Sequence, residues 1–119
     1  MSMAPYHRAM LQAVRMAEIS HKNKMYELCA VCARKIAEIY VDLVLAPDEW
    51  WSLGEGLSLM QDVPDPLWQA LKTAQYIGNS GAHARQERMT EKEGDDALSA
   101  AMLIAKAYLA RIHVPRARM

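Results

Sequence analysis

The residues with the most distinctive chemistry in this chain lie where its fourth predicted helix ends. Asn79 and His83 stand four residues apart in the segment Gly78-Asn79-Ser80-Gly81-Ala82-His83. At that spacing an amide and an imidazole can share one face of a helix. Arg85 and Arg88 follow shortly after. An amide, an imidazole that titrates near neutral pH and two guanidinium groups are suited to binding phosphate and moving a proton. The segment therefore predicts a phosphate-handling site.

Cys29 and Cys32 are the two cysteines of the chain, and their Cys-x-x-Cys spacing is shared by redox and zinc motifs. A thioredoxin-like pair needs a βαβ context, and tetrahedral zinc needs two further ligands. The sequence shows neither companion, and residues 26–34 have a helical composition. We therefore expect both thiols to pack in the core as small apolar groups. No metal site and no cofactor is predicted.

The charges balance to a formal net charge of zero but are unevenly placed. A chain without net positive charge lacks the global field that supports non-specific nucleic-acid binding. Between Asp42 and Leu71 every charged residue is acidic, whereas cations cluster towards both ends of the chain. We interpret this as a solvated surface with local asymmetry, and the alternative is a functional electrostatic patch.

The spacing of apolar residues predicts an all-α domain. These residues recur at three- and four-residue steps, and the alternation expected of strands is missing. A chain of 119 residues is long enough for one domain with a single core. We predict a compact bundle of four long helices and one short helix. The predicted helices cover residues 6–20, 25–45, 52–60, 65–82 and 90–112.

Local signals set the ends of these helices. Pro47 ends the second helix because its ring excludes helical geometry before it. Capping boxes at residues 52–55 and 90–93 begin the third and fifth helices. Asp65 is the predicted N-cap of the fourth, followed by a proline at the first helical position.

Two helices show a stripe of residues expected to face the core. On the second helix the stripe comprises Met25, Leu28, Cys32, Ile36, Ile39 and Leu43. On the fourth helix it comprises Leu67, Leu71, Ala74 and Gly78. Arg34 and Glu38, four residues apart on another side of the second helix, are expected to form an exposed ion pair.

Two surfaces suggest that other molecules bind. The last helix is apolar nearly all round from Ala97 to Ala110. Four other helices can hardly cover that much apolar surface, so a second copy of the chain is expected to close part of the surface. Adjacent indoles at Trp50 and Trp51 cannot both face the same side of a helix. One is expected to pack, and the other either anchors a protein interface or covers a loop.

The sequence gives no sign of a membrane or secreted protein. Residues 1–8 lack the apolar core of a secretion signal, and no apolar run approaches the roughly 20 residues that span a bilayer. We therefore expect a cytoplasmic protein that does not enter a membrane.

The order of these segments resembles the domain-of-unknown-function family 4145, a branch of the HEPN superfamily of small bacterial and archaeal helical domains. The matching features are the Arg34-x-x-x-Glu38 pair, the Gly-Asn-x-x-Ala-His segment of residues 78–83, and the Ala-rich last helix with its basic ending at residues 114–118. The resemblance covers roughly residue 10 to the C-terminus. It implies an all-α domain that forms dimers.

Active members of the superfamily are metal-independent ribonucleases with an arginine, usually followed by a polar residue, and a histidine about four to six residues beyond the arginine. Two copies form one composite site. The resemblance implies that Asn79 is the polar residue and His83 the histidine, both in catalytic positions. Gly78 stands where the arginine is expected, so the motif is degenerate. Arg85, Arg88 or Arg34 could supply the cation instead.

The residues and the resemblance leave three functions open. The first is a non-catalytic helical interaction module, a homodimer that binds a protein partner. The resemblance implies a role for it in bacterial defence or phage conflict. The second is a ribonuclease that uses His83. The third is a non-cleaving RNA or nucleotide binder in which Asn79, Arg85 and Arg88 hold a phosphate. The first is favoured because glycine supplies neither a proton nor the charge that phosphate cleavage requires.

Overall fold

Five α-helices account for most of the chain. The computed structural model describes residues 4–45, 52–82 and 89–113, and no strand occurs in these ranges. The helices are α1 (Ala4–Lys22), α2 (Tyr26–Leu45), α3 (Leu53–Leu59), α4 (Asp65–Ala82) and α5 (Glu91–His113). The predicted all-α bundle of four long helices and one short helix is confirmed.

Both predicted capping boxes are present. The backbone N–H of Glu55 donates to Ser52 Oγ at 3.2 Å, and the backbone N–H of Ser52 donates to Glu55 Oε1 at 3.1 Å. Thr90 and Glu93 repeat this exchange at 3.1 and 2.9 Å. The bonds that Glu55 accepts from the Ser52 backbone and hydroxyl lower the pKa of its carboxyl group. These reciprocal bonds satisfy backbone donors that a helix start leaves unpaired.

Two positions differ from the sequence predictions. Met25 precedes α2 and is 50% exposed, so its assignment to the buried stripe is wrong. Its backbone N–H donates to Ser20 O at 2.8 Å, which places Met25 in the turn at the end of the bundle. Asp65 is the first helical residue of α4 and not its N-cap, because the N–H of Trp68 donates to Pro64 O at 2.9 Å.

The second helix, α2, lies at the centre of the bundle and contacts each of the other four helices. The helix α1 packs on α2 and α5, and α4 packs on the same two helices from another side. The short helix α3 contacts α2 and α4. Within the described residues α1 and α4 do not touch, so α2 and α5 together form the shared inner layer.

The predicted stripes are otherwise found where expected. Cys32, Ile36 and Ile39 are buried in α2, with Leu28 and Leu43 half-buried beside them. All four stripe residues of α4, from Leu67 to Gly78, are buried. The fifth helix is not covered on every side within one chain: it buries Ala97, Ala101, Ile104 and Tyr108 but leaves Met102, Leu103 and Leu109 about two-fifths exposed.

Cys29 and Cys32 are free, buried thiols, as predicted. Cys29 Sγ donates a weak hydrogen bond to Gly94 O at 3.9 Å. Burial, followed by the neighbouring Cys32, raises the pKa of Cys29 to about 11. Burial also raises the pKa of Cys32. Because the thiolate is the reactive form, both sulfurs are poor nucleophiles near neutral pH.

The described residues offer neither a metal site nor a membrane-spanning helix. No group of three or more His, Cys, Asp or Glu side chains there could hold a metal ion. Across the same residues, no helix has the length and apolar character that crossing a membrane requires.

We predict that Ile36→Ala lowers the free energy of unfolding by about 2 to 5 kcal/mol, because Ile36 is fully buried in α2 and its truncation leaves a cavity. Urea denaturation followed by circular dichroism measures this loss. Val31→Ala, at an exposed position of the same helix, is the matched control and should change stability by less than about 0.5 kcal/mol. A similar small loss for both variants would contradict the assignment of the buried stripe.

Candidate functional site

The structure describes two of the residues that the sequence singles out for function, Arg34 and Asn79. His83, Arg85 and Arg88 lie outside the described residues, in the gap between α4 and α5. Trp50 and Trp51 lie outside them as well, in the gap before α3. The geometry of the candidate site is therefore built on α2 and on the last turns of α4.

Gly78 marks a close approach between α4 and α2. A Cβ atom placed on Gly78 would lie 2.4 Å from Arg34 Cβ and 3.1 Å from Ala30 O. Neither neighbour is the end of a flexible side chain, so the two helices would have to move apart. Glycine is required here because it allows the backbones to approach. Residue 78 is thus occupied by the packing of α4 on α2.

Arg34 lies in this contact and is paired within its own helix. Its Nε is 3.6 Å from Glu38 Oε2, and both side chains are about one-third exposed. The Nε atom is shielded from solvent and has no hydrogen-bond partner at shorter range among the described residues. The predicted ion pair is confirmed, but it is half-buried and not exposed. The cation that lies in this contact, Arg34, is therefore already faced by a carboxylate.

Asn79 follows Gly78 and is half-buried. Gln75, one helical turn earlier, reaches α3, since its Nε2 lies 3.1 Å from a Cβ placed on Gly54. Because residues four apart share a helix face, Asn79 lies on the flank of α4 that also meets α3. The amide can donate and accept hydrogen bonds to a bound molecule.

A groove lies between α2 and the start of α3, beside Glu38. Its polar lining consists of Lys35, Glu38, Asp42 and Ser52, and its apolar lining of Ile39, Val41 and Leu53. Burial raises the pKa of Asp42, and the Lys35 charge opposes that shift. Two carboxyl groups against one ammonium group make this groove unfavourable for a phosphate, which carries negative charge.

A second cluster of titratable side chains joins three helices, and no sequence pattern predicted it. His21 Nε2 lies 2.6 Å from Asp95 Oδ1, and the ring of His21 meets the edge of Tyr26. The Tyr26 ring in turn occupies the space beside Gly94, where a Cβ would lie 2.2 Å from Tyr26 Cδ1. His21 and Asp95 are 74 residues apart, so spacing along the chain gives no signal of their contact. The cluster ties the end of α1 to the start of α5.

Comparison of the chain with protein-family models, with curated proteins and with solved structures finds no match. What the described residues bring together is a paired arginine, a half-buried amide and an acid-lined groove. These groups can recognise a polar surface, in which the carboxyl groups of Glu38 and Asp42 lie near the cations of Arg34 and Lys35.

We predict that Gly78→Ala lowers the free energy of unfolding by about 1 to 3 kcal/mol, because the new Cβ overpacks the contact between α4 and α2. Gly54→Ala is the matched control, since its Cβ would meet the flexible end of Gln75. That variant should be neutral or gain up to about 1 kcal/mol from better helix propensity. Equal stability changes for the two variants, measured by thermal and urea denaturation, would contradict the close approach.

Proposed function

We propose that this protein is a non-catalytic helical interaction module that forms a homodimer and binds a protein partner. The observation that supports this most directly is the packing of Gly78 against Arg34. A ribonuclease of the HEPN type needs an arginine at the position of Gly78, and that position has no room even for a Cβ atom. Without an arginine at residue 78, we infer recognition and not cleavage as the role of this surface.

The electrostatics of the described residues supports the same proposal. Cleavage of RNA by its own 2′-hydroxyl group requires a fixed cation where charge gathers on the phosphorus. Arg34 is the nearest described candidate, and Glu38 lies beside it. A phosphodiester at this contact would displace Glu38 from Arg34 and would also meet Asp42 in the neighbouring groove. Both effects weaken the binding of an anion.

The resemblance to HEPN domains also suggests a biological role for the module. Relatives in that family commonly lie beside or within restriction and other defence systems, so we propose a role in bacterial defence or phage conflict. In this role the module would hold another component of such a system, and turnover of RNA by the module would not be required.

The proposal predicts that RNA stays intact. Labelled RNA is incubated with the protein in chelator, alongside His83→Ala as the matched variant. We expect no cleavage in either sample, because glycine and not arginine stands at residue 78, where the resemblance calls for a fixed cation. Cleavage by the unchanged protein that is lost in His83→Ala would show a ribonuclease and overturn the proposal. Retention of intact RNA, with an affinity that falls steeply as salt rises, would favour a binder that contacts phosphates.

A second prediction concerns Trp50 and Trp51. The double variant Trp50→Ala/Trp51→Ala should keep its helical content and weaken self-association or partner capture by about tenfold or more, because buried indoles often dominate interfaces. Analytical ultracentrifugation and pull-down measure these effects. Tyr76→Ala, which removes an aromatic ring that is 74% exposed, is the control. Unchanged sedimentation and unchanged capture in the double variant would count against this interface.

A further inference from the structure

One face of α5 is exposed along most of the helix, opposite the side that the helix buries in the bundle from Ala97 to Tyr108. The exposed positions recur at steps of three and four residues. Because they belong to a single helix, its geometry alone places them side by side, within about 120° of one another. Met102, Leu103 and Leu109 among them are about two-fifths exposed. We call these residues the outer face: Asp95, Ser99, Met102, Leu103, Lys106, Leu109 and Ala110.

Charge is distributed unevenly along α5. Residues 91–96 contain four acidic side chains and one lysine, and residues 97–105 contain no charged side chain. Residues 106–111 contain a lysine and an arginine and no acid. The exception in the first part is Lys92, whose Nζ lies 3.2 Å from Asp96 Oδ2, so its charge is opposed within the helix. The helix is therefore acidic where it begins, uncharged in the middle and basic where it ends.

Two tyrosines of α2 respond to this difference in charge. Desolvation raises the pKa of Tyr26, and the nearby charges of Glu91 and Asp95 raise it further. Desolvation also raises the pKa of Tyr40, but the charge of Arg111 opposes that shift. The charges of α5 thus act with opposite sign on groups near its two ends.

We propose that a second copy of this chain packs its outer face on this one in the antiparallel direction, so that Lys106 of each copy lies opposite Asp95 of the other. The two residues are three helical turns apart, about 17 Å, and lie on the same side of α5. A two-fold axis midway between them repeats the contact twice. In this register Met102 of one copy faces Ser99 of the other, and the small serine lets the two helices approach.

Charge complementarity selects a second copy as the occupant. A partner with charge of one sign would match one end of α5 and be repelled by the other end. A second copy that runs in the opposite direction matches both ends, and its helix dipole also opposes that of the first. The net charge of the chain is zero, so two copies do not repel each other as a whole. This inference rests on the homodimer in the proposed function and specifies its surface.

The size of the outer face predicts a weak dimer. From Asp95 to Ala110 the face is about 23 Å long, on a helix about 10 Å wide. That is smaller than the roughly 800 Å² that each partner buries in a stable interface. We therefore expect a dissociation constant in the micromolar range that rises with salt, because the paired charges are exposed.

Charge reversal tests the pairing. Lys106→Glu and Asp95→Lys each place like charges at both contacts, and each should raise the dissociation constant about fivefold or more in sedimentation equilibrium at low salt. The double variant Asp95→Lys/Lys106→Glu exchanges the charges, so both contacts become attractive again. Its dissociation constant should return to within about threefold of that of the unchanged protein.

An apolar position tests the same face without a change at Asp95. Met102→Lys should raise the dissociation constant about tenfold or more, because it places an ammonium group at the centre of the contact. Leu59→Lys is the matched control and should leave the dissociation constant unchanged. Leu59 is 49% exposed on α3, and α3 does not contact α5 within the described residues.

Two further controls separate the dimer from packing within one chain. Asp95 also lies 2.6 Å from His21, and His21→Ala removes that contact while it keeps the carboxylate, so the dimer should persist. Arg111→Glu reverses an exposed charge about 140° around α5 from Lys106 and should change the dissociation constant by less than about twofold. Circular dichroism verifies that each variant keeps its helices. If an Asp95 variant loses them, Lys106→Glu and Met102→Lys still test the face.

Contrary results separate this surface from the proposed function. A protein that stays monomeric at all concentrations overturns both this surface and the dimer in the proposed function, while the RNA experiment still tests whether the module is catalytic. A dimer that Lys106→Glu and Met102→Lys leave unchanged overturns this surface alone. Weakening by the single charge reversals that the double variant does not restore overturns the antiparallel pairing of Asp95 with Lys106.

Discussion

The close approach of α2 and α4 at Gly78 is the constraint on which the rest of this structure depends. With hydrogen in place of a side chain, the backbone of α4 reaches Arg34 Cβ and Ala30 O. This close approach fixes how α4 packs on α2, and it thereby positions Asn79, the next residue of α4. It also positions Gln75, whose side chain lies beside Gly54 of α3. The same contact excludes an arginine from the position where the resemblance would require one.

Most of the fold could be predicted from the sequence because its signals are local. The capping pairs at Ser52 and Thr90 involve residues three positions apart, and the structure shows both. The buried stripe of α2 follows from helical periodicity. The assignment of Met25 to this stripe is wrong because the apolar spacing continues back into the turn before α2. The bond from Met25 N–H to Ser20 O depends on how α1 and α2 meet, which spacing does not show.

The candidate site was predictable only in part. The pair of Arg34 and Glu38 has a spacing that the sequence displays, but its burial depends on the approach of α4, which spacing cannot show. The bond between His21 and Asp95 joins residues from opposite parts of the chain and has no sequence signal. His83 is the imidazole that the sequence predicts for proton transfer, and it lies outside the described residues.

The two cysteines of α2 have a consequence beyond core packing. Both thiols are free and buried inside the bundle, and burial raises the pKa of each sulfur above its ordinary value. Mild oxidants and thiol reagents act on exposed thiolates, so they find no reactive group at this position while the chain is folded. Because both cysteines are free, the packing of α2 against its neighbours does not rely on a disulfide.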